Sequence, residues 1–268
     1  MARSDRAIRA DRPPIALLVP AMIGLAFLVL PLVGLLLRAP WTHGPALLRG
    51  SGAGQALGLS LITSTAATGC SLLVGVPLAW LLARPGGRYR SLLRAVITVP
   101  LVLPPVVGGV ALFALLGRSG ILGRPLYELT GFALPFTPYA VVLSQTFVAL
   151  PYLVLAVEGA LRAADRRYED AAQTLGATPF RVFRRVTLPL IGPGIASGAV
   201  LAWARALGEF GATITFAGNF PGSTQTMPLA IYLALQTDTD TALLLSVLLL
   251  AVSVAVLALL RDRWVRTW

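Results

Sequence analysis

The sequence predicts an all-α integral membrane protein with six transmembrane helices, and three observations carry that prediction. Hydrophobic residues make up 56% of the 268. Charged residues make up 12%, against roughly 25% in an ordinary soluble domain. The basic residues gather between long apolar runs instead of spreading along the chain. A hydrocarbon core about 30 Å thick needs about 20 apolar residues of helix to cross it. Six stretches qualify: 15–37, 56–82, 95–116, 139–160, 190–217 and 242–260. They are continuously apolar, whereas the strands of a membrane barrel alternate, so they are read as helices.

The first stretch follows Arg3, Arg6, Arg9 and Arg12, as a signal peptide would, but it is 23 residues long and no Ala-x-Ala site follows it. It reads as an uncleaved anchor behind a short N-terminal segment, 1–14. With six spans both termini share a side. Arginines on that side number four before the first span, four in 83–94, six in 161–189 and three in the tail 261–268, making 17. The opposite loops hold only Arg38, Arg49, Arg118 and Arg124. The positive-inside rule then places both termini and the 161–189 loop in the cytoplasm, around one membrane domain, 15–260.

Within the spans, irregular and polar residues stand out. The third carries Pro100, Pro104 and Pro105 followed by Gly108 and Gly109. Each proline removes a backbone donor, so this segment is either a broken helix lining a pathway or a kinked packing helix. The fourth is apolar except for Glu158 near its end. The fifth has a small residue at every fourth position, Gly194, Gly198, Ala202 and Ala206, which lets another helix approach closely. It also holds Arg205 and Glu209, one helical turn apart. An isolated charge at bilayer depth costs at least a few kcal/mol, so the two should pair or line water. A structural ion pair, a gate that breaks and reforms, and direct contact with an anion all stay open. Thr213, Thr215 and Asn219 follow toward the outer end, either as a polar cap or as donors that hold an oxyanion weakly. His43 reads as a solvated loop residue and Cys70 as packing.

Composition excludes most enzyme chemistry. The 22 basic residues are all arginine, and without lysine there is no Walker A loop and no Schiff base. One histidine and one cysteine remove multi-histidine metal sites, cysteine-ligated clusters and intrachain disulfides. No metal site and no cofactor is expected on the chain. The net charge of +11 would point to nucleic acid in a soluble protein; here it follows membrane sidedness.

The 161–189 loop is patterned as a rigid knob. Glu169 and Asp170 suit the first turn of a short helix, Ala171, Ala172 and Leu175 continue it, and Gly176 suits its stop before Ala177. Thr178 and Pro179 suit the start of a second helix running toward Pro189. An amphipathic hairpin lying on lipid headgroups would also accommodate its arginines.

Asp170-Ala171-Ala172, three residues, Gly176, nine residues, then Val186-x-Leu188-Pro189 resembles the "EAA" loop of the membrane subunits of bacterial ABC importers, with Asp170 in place of the usual glutamate and Val186 in place of isoleucine. More narrowly, Pro104-Pro105-Val-Val-Gly108-Gly109, Gln145-Thr-Phe-Val-Ala-Leu-Pro151, Gly208-Glu209-Phe210-Gly211-Ala-Thr213, Asn219-Phe-Pro221-Gly222 and Thr226-Met-Pro228 are similar to the molybdate permeases, over roughly residues 56–260; sulfate permeases share most of these features. The resemblance implies a type I importer permease fold in the bacterial inner membrane. It implies a coupling loop (Glu169, Asp170, Ala171, Ala172, Leu175, Gly176, Ala177, Pro179, Pro189) that docks on a separate ATPase binding ATP and Mg, and a homodimer that matches the two grooves of an ATPase dimer. It also implies an external molybdate-binding protein, and a molybdate pathway or gate around Pro104, Pro105, Arg205, Glu209, Thr213, Thr215 and Asn219. Tungstate or sulfate as substrate, or an ATP-independent anion channel or secondary transporter, are the alternatives. A haem-bearing redox anchor would need paired histidines.

Overall fold

The computed structural model describes residues 15–42, 44–84 and 89–265. The expected N-terminal segment 1–14, His43 and the last three residues of the tail lie outside the described residues. The helices in chain order are α1 (Ile15–Arg38), α2 (Gly44–Gly50), α3 (Ala53–Ala83), α4 (Tyr89–Val102), α5 (Pro105–Leu116), α6 (Gly123–Thr130), α7 (Pro138–Ala163), α8 (Arg167–Thr174), α9 (Pro179–Val182), a π-helical turn (Phe183–Thr187), α10 (Leu188–Leu190), α11 (Gly192–Leu207), α12 (Gly211–Phe216), α13 (Met227–Thr237) and α14 (Thr239–Val265). The described residues contain no strand.

Helix α7 is the hub. Its Ala149, Leu153, Val154 and Val157 are fully buried with Ala67, Ala79 and Leu82 of α3 and Ala202 and Ala206 of α11. Missing side chains allow the approach: a Cβ at Gly194 would stand 2.3 Å from Ala160 Cβ, and one at Gly198 3.0 Å from Ala156 Cβ. The small-residue ridge of α11 is therefore its contact with α7, close packing of the kind small residues permit between membrane helices. A second cluster joins Ala53 and Ala56 to Met227, Ala230, Ala234, Ala242 and Leu245. Helix α1 packs against α14 and otherwise exposes its apolar side chains, Phe27 at 76% among them. Between α13 and α14 the Thr241 hydroxyl donates to Asp238 (2.5 Å), and that bond holds the Asp238 carboxyl below its ordinary range, so the group stays ionised further into acid than a free aspartate.

Among the described residues, four helical segments are long and apolar enough to cross a membrane: Leu17–Arg38, Ala53–Ala83, Pro138–Ala163 and Thr239–Leu259. The third and fifth expected spans differ from straight helices. Residues 95–116 divide into α4 and α5, which meet at 115°. Pro104 is extended (φ −54°, ψ 131°) and Pro105 opens α5; two successive residues without an amide hydrogen cannot continue the ladder of α4. The 190–217 stretch stops at Leu207 and restarts as α12 at Gly211, where the Glu209 carboxylate accepts the Ala212 amide (2.8 Å). Gly192–Leu207 is itself bent by 70° from the helical segment Pro179–Leu190 before it.

The two restarted helices pack on each other through glycine. A Cβ at Gly211 would lie 2.9 Å from Pro105 Cβ, and one at Gly109 would lie 1.7 Å from Thr215 Oγ1 and 2.7 Å from the Ala212 carbonyl oxygen. At the other end of α7, Glu158 is buried and clasped by Arg94 of α4 and by Arg162 one turn on (2.8 Å).

Gly109→Ala should therefore lower the thermal midpoint in detergent by an amount corresponding to about 1–3 kcal/mol, as overpacking does. Adding Thr215→Ala should recover only part of it because the Ala212 carbonyl remains, whereas Gly58→Ala, with nothing within 4 Å, should be neutral or better. Glu158→Gln should cost roughly 1–3 kcal/mol on the same scale, less than a fully buried pair, because both guanidiniums keep contact with solvent.

Candidate functional site

The hairpin formed within residues 161–189, the first candidate site, is built by local signals. Glu169 and Asp170 occupy the first turn of α8. The helix closes in a Schellman arrangement: the Ala177 amide donates to Ala172 O (3.0 Å), and the Gly176 amide donates to Gln173 O (2.9 Å), with Gly176 at φ +82°. Thr178 then caps α9, Pro179 takes its first position, and the Val182 amide returns to Thr178 O (2.9 Å). The product is a tight corner whose tip is apolar yet exposed: Leu175 at 89%, Phe180 at 72% and Tyr168 at 60%. Asp170, Ala171, Pro179 and Pro189 are also exposed, and Ala172 and Ala177 are half-buried. An exposed apolar tip on a rigid corner is what a protein-docking knob presents.

Glu169 behaves differently from its neighbour Asp170. Its carboxylate turns inward, 3.0 Å from Arg84 at the end of α3, and accepts the buried Thr187 hydroxyl at 2.6 Å. Phe180, Arg84 and Thr187 were not singled out by the sequence. Phe180 carried a signal, an aromatic beside a helix-starting proline. Nothing local ties Arg84 to a residue 85 positions on.

The second candidate is the α5–α12 pair. Arg205 and Glu209 pair at 2.6 Å, with Glu209 1% exposed and also serving α12 through the Ala212 amide. Pro104 and Pro105 are exposed on the open side of α5, while Gly108 and Gly109 face inward. Thr215 spends its hydroxyl on Gly211 O (2.9 Å). Thr213 is fully buried with no partner for its hydroxyl, and Asn219, beyond the left-handed Gly218, has an enclosed Oδ1 without a partner. The structure thus brings Pro105, Thr215, Gly211 and the Arg205–Glu209 pair to one crossing. It adds a polar residue not marked as a site residue, Gln145 of α7, fully buried with both amide atoms unpartnered. The neighbouring Ser144 hydroxyl reaches Ala212 O (3.3 Å). Among the described residues no group of three or more His, Cys, Asp or Glu could hold a metal ion.

Comparison with known proteins places this architecture. Residues 75–267 match the family model described as binding-protein-dependent transport system inner membrane component. The chain is 53% identical over 215 residues to the molybdenum transport system permease protein ModB of Mycobacterium tuberculosis, covering 80% of this chain and 81% of that one. It is 43% identical over 211 residues to the protein of the same name from Escherichia coli, covering 79% and 92%. Its fold is similar to that of a bacterial ABC transporter involved in the import of the acidic polysaccharide alginate, with a TM-score of 0.72 at 21% identity and 94% of each chain covered. With a family match spanning most of its length and relatives this close, the chain belongs to the binding-protein-dependent transport system inner membrane component family.

Proposed function

We propose that the chain is the membrane-spanning permease subunit of an ATP-driven importer and forms the path by which molybdate crosses the inner membrane. It is a transport component and not an enzyme. The observation that carries the reading is the exposed α8–α9 corner on a chain so similar to molybdenum permeases. A partner ATPase binds ATP with Mg and hydrolyses the ATP. Leu175 and Phe180 enter its groove, Asp170 lies beside them, and Gly176 keeps the corner tight. One chain offers one corner, so two copies assemble over an ATPase dimer. An extracytoplasmic binding protein delivers the oxyanion to the opposite face. The arginine distribution, 17 against four, supports a cytoplasmic position for the corner and both termini.

ATP-driven closure of the ATPases draws the two corners together and switches the helices between inward-open and outward-open states. The pathway runs past the broken helices, along Pro104, Pro105, Thr213, Thr215 and Asn219. Neutral hydroxyl and amide donors suit a conduit, which must release what it holds. Arg205 and Glu209 act as a structural pair: the carboxylate has one oxygen on an amide of α12 and the other on the guanidinium.

In proteoliposomes with the ATPase and binding protein, Asp170→Arg combined with Gly176→Pro should insert normally but lose ATPase co-purification and molybdate accumulation. Uptake that persists without ATP, or in this variant, would replace the importer with an anion channel or secondary transporter. Tungstate should compete with molybdate far better than sulfate does, judged by uptake of each. Glu209→Gln should lower the thermal midpoint and leave the molybdate-to-sulfate preference unchanged; an altered preference would make Glu209 a substrate contact.

A further inference from the structure

We infer that Glu169 is a positioning residue that ties the coupling corner to α3 through Arg84 and Thr187, and is not itself a contact to the ATPase. The inference rests on the importer reading above and concerns how force leaves the corner. By covalent connection alone, the corner is continuous with only two membrane helices: α7, which leads into it, and α11, which it leads into. Helix α3 ends at Ala83, 86 residues before Glu169 in the chain. Three contacts bind that end to the corner, and two more brace them from either side. Glu169 Oε2 lies 3.0 Å from Arg84 Nη2. Arg166, just before α8, donates to the Ala83 carbonyl at 3.1 Å, so an arginine at the base of the corner caps the last turn of α3. Arg84 lies over the Trp80 ring at 4.8 Å, and the same ring meets Phe183 of the π-helical turn edge-on at 6.3 Å. Glu169 Oε1, meanwhile, accepts from Thr187, which is 1% exposed, closing the corner on itself.

Glu169 is the one residue in this set that holds two different elements with its two oxygens, α3 on one side and the far leg of the corner on the other. Its side chain is 12% exposed and that of Arg84 34%, so the pair is partly screened by solvent. Its value is in geometry: it makes α3 move with a corner to which it has no covalent link. Asp170, the adjacent acid, is exposed and remains available to the partner.

The test is molybdate transported per ATP hydrolysed by the complete complex in proteoliposomes, a ratio that loss of folded protein does not change. Glu169→Gln and Arg84→Gln should each lower the ratio about tenfold while the ATPase still co-purifies, within the range of coupling between linked sites. The double variant should be no worse than either single, because both remove one interaction. Thr187→Val, which spares the ion pair, should give a smaller fall and serves as a milder probe of the same tie. Wild-type ratios in both singles, additive losses in the double, or loss of ATPase co-purification in Glu169→Gln would each overturn the inference. The importer reading would survive all three, since it fails instead if molybdate uptake persists without ATP or in the Asp170→Arg, Gly176→Pro variant.

Discussion

A hydrogen-bonding group at membrane depth has no water to turn to, and most of this fold answers that constraint. Hydroxyls within the spans bond back to their own helices: Thr68 to Ser64 O, Thr146 to Val142 O, Ser246 to Ala242 O and Ser253 to Leu249 O, each at 2.7 Å. The two buried glutamates of the spans are held by arginine. The interruption at 208–210 is tolerated because Glu209 supplies an acceptor to the helix that follows. Among the described residues the exceptions include Ser71 and Trp80 of α3, Arg90 of α4, Gln145 of α7, and Thr213, Asn219 and Thr226 on α12 and the chain after it, enclosed polar atoms without partners. Such groups gain most from any rearrangement that admits water or a hydrated anion.

The same constraint explains the division between rigid and broken parts. Helices α3, α7 and α11 are unbroken through their shared core, and they meet through glycine and alanine, where backbones approach within the reach of a methyl group. A block packed in this way moves as one body. The broken segments α4–α5 and α11–α12 lie against it, with short restarted helices that can change angle at their proline and glycine junctions. The corner proposed to meet the ATPase is attached to the rigid block, which is the arrangement a lever needs.

What was legible in the sequence was local. Span positions followed from apolar runs, and the α8–α9 corner followed from an acidic first turn, Gly176 and Pro179, all within a dozen residues. Pro104 and Pro105 announced a break, but not its 115° angle, which depends on how α5 settles against α12. The second break, at Gly208 to Phe210, had no proline to mark it and is held by a carboxylate that the sequence presented only as half of an ion pair. The pairs Arg84–Glu169 and Arg94–Glu158 join residues far apart in the chain, and no period or spacing encodes them. Glu169 shows the limit most clearly: it and Asp170 are chemically alike neighbours, and only helix phase decides which faces in.

The π-helical turn Phe183–Thr187 sets that phase for the second leg of the corner. A π turn accommodates one residue more than an α turn, so it acts as a single-residue insertion absorbed without a loop. Everything after it is rotated by about 100° relative to an uninterrupted α-helix. Within the turn the Thr187 hydroxyl meets Glu169 while Arg184 and Arg185 stay at the surface. The leg is consequently wound like a clock spring at one point only. Slippage of a single hydrogen-bond register there would rotate the end of the leg about its axis and, because α11 departs from that axis at 70°, swing α11 sideways instead of spinning it in place.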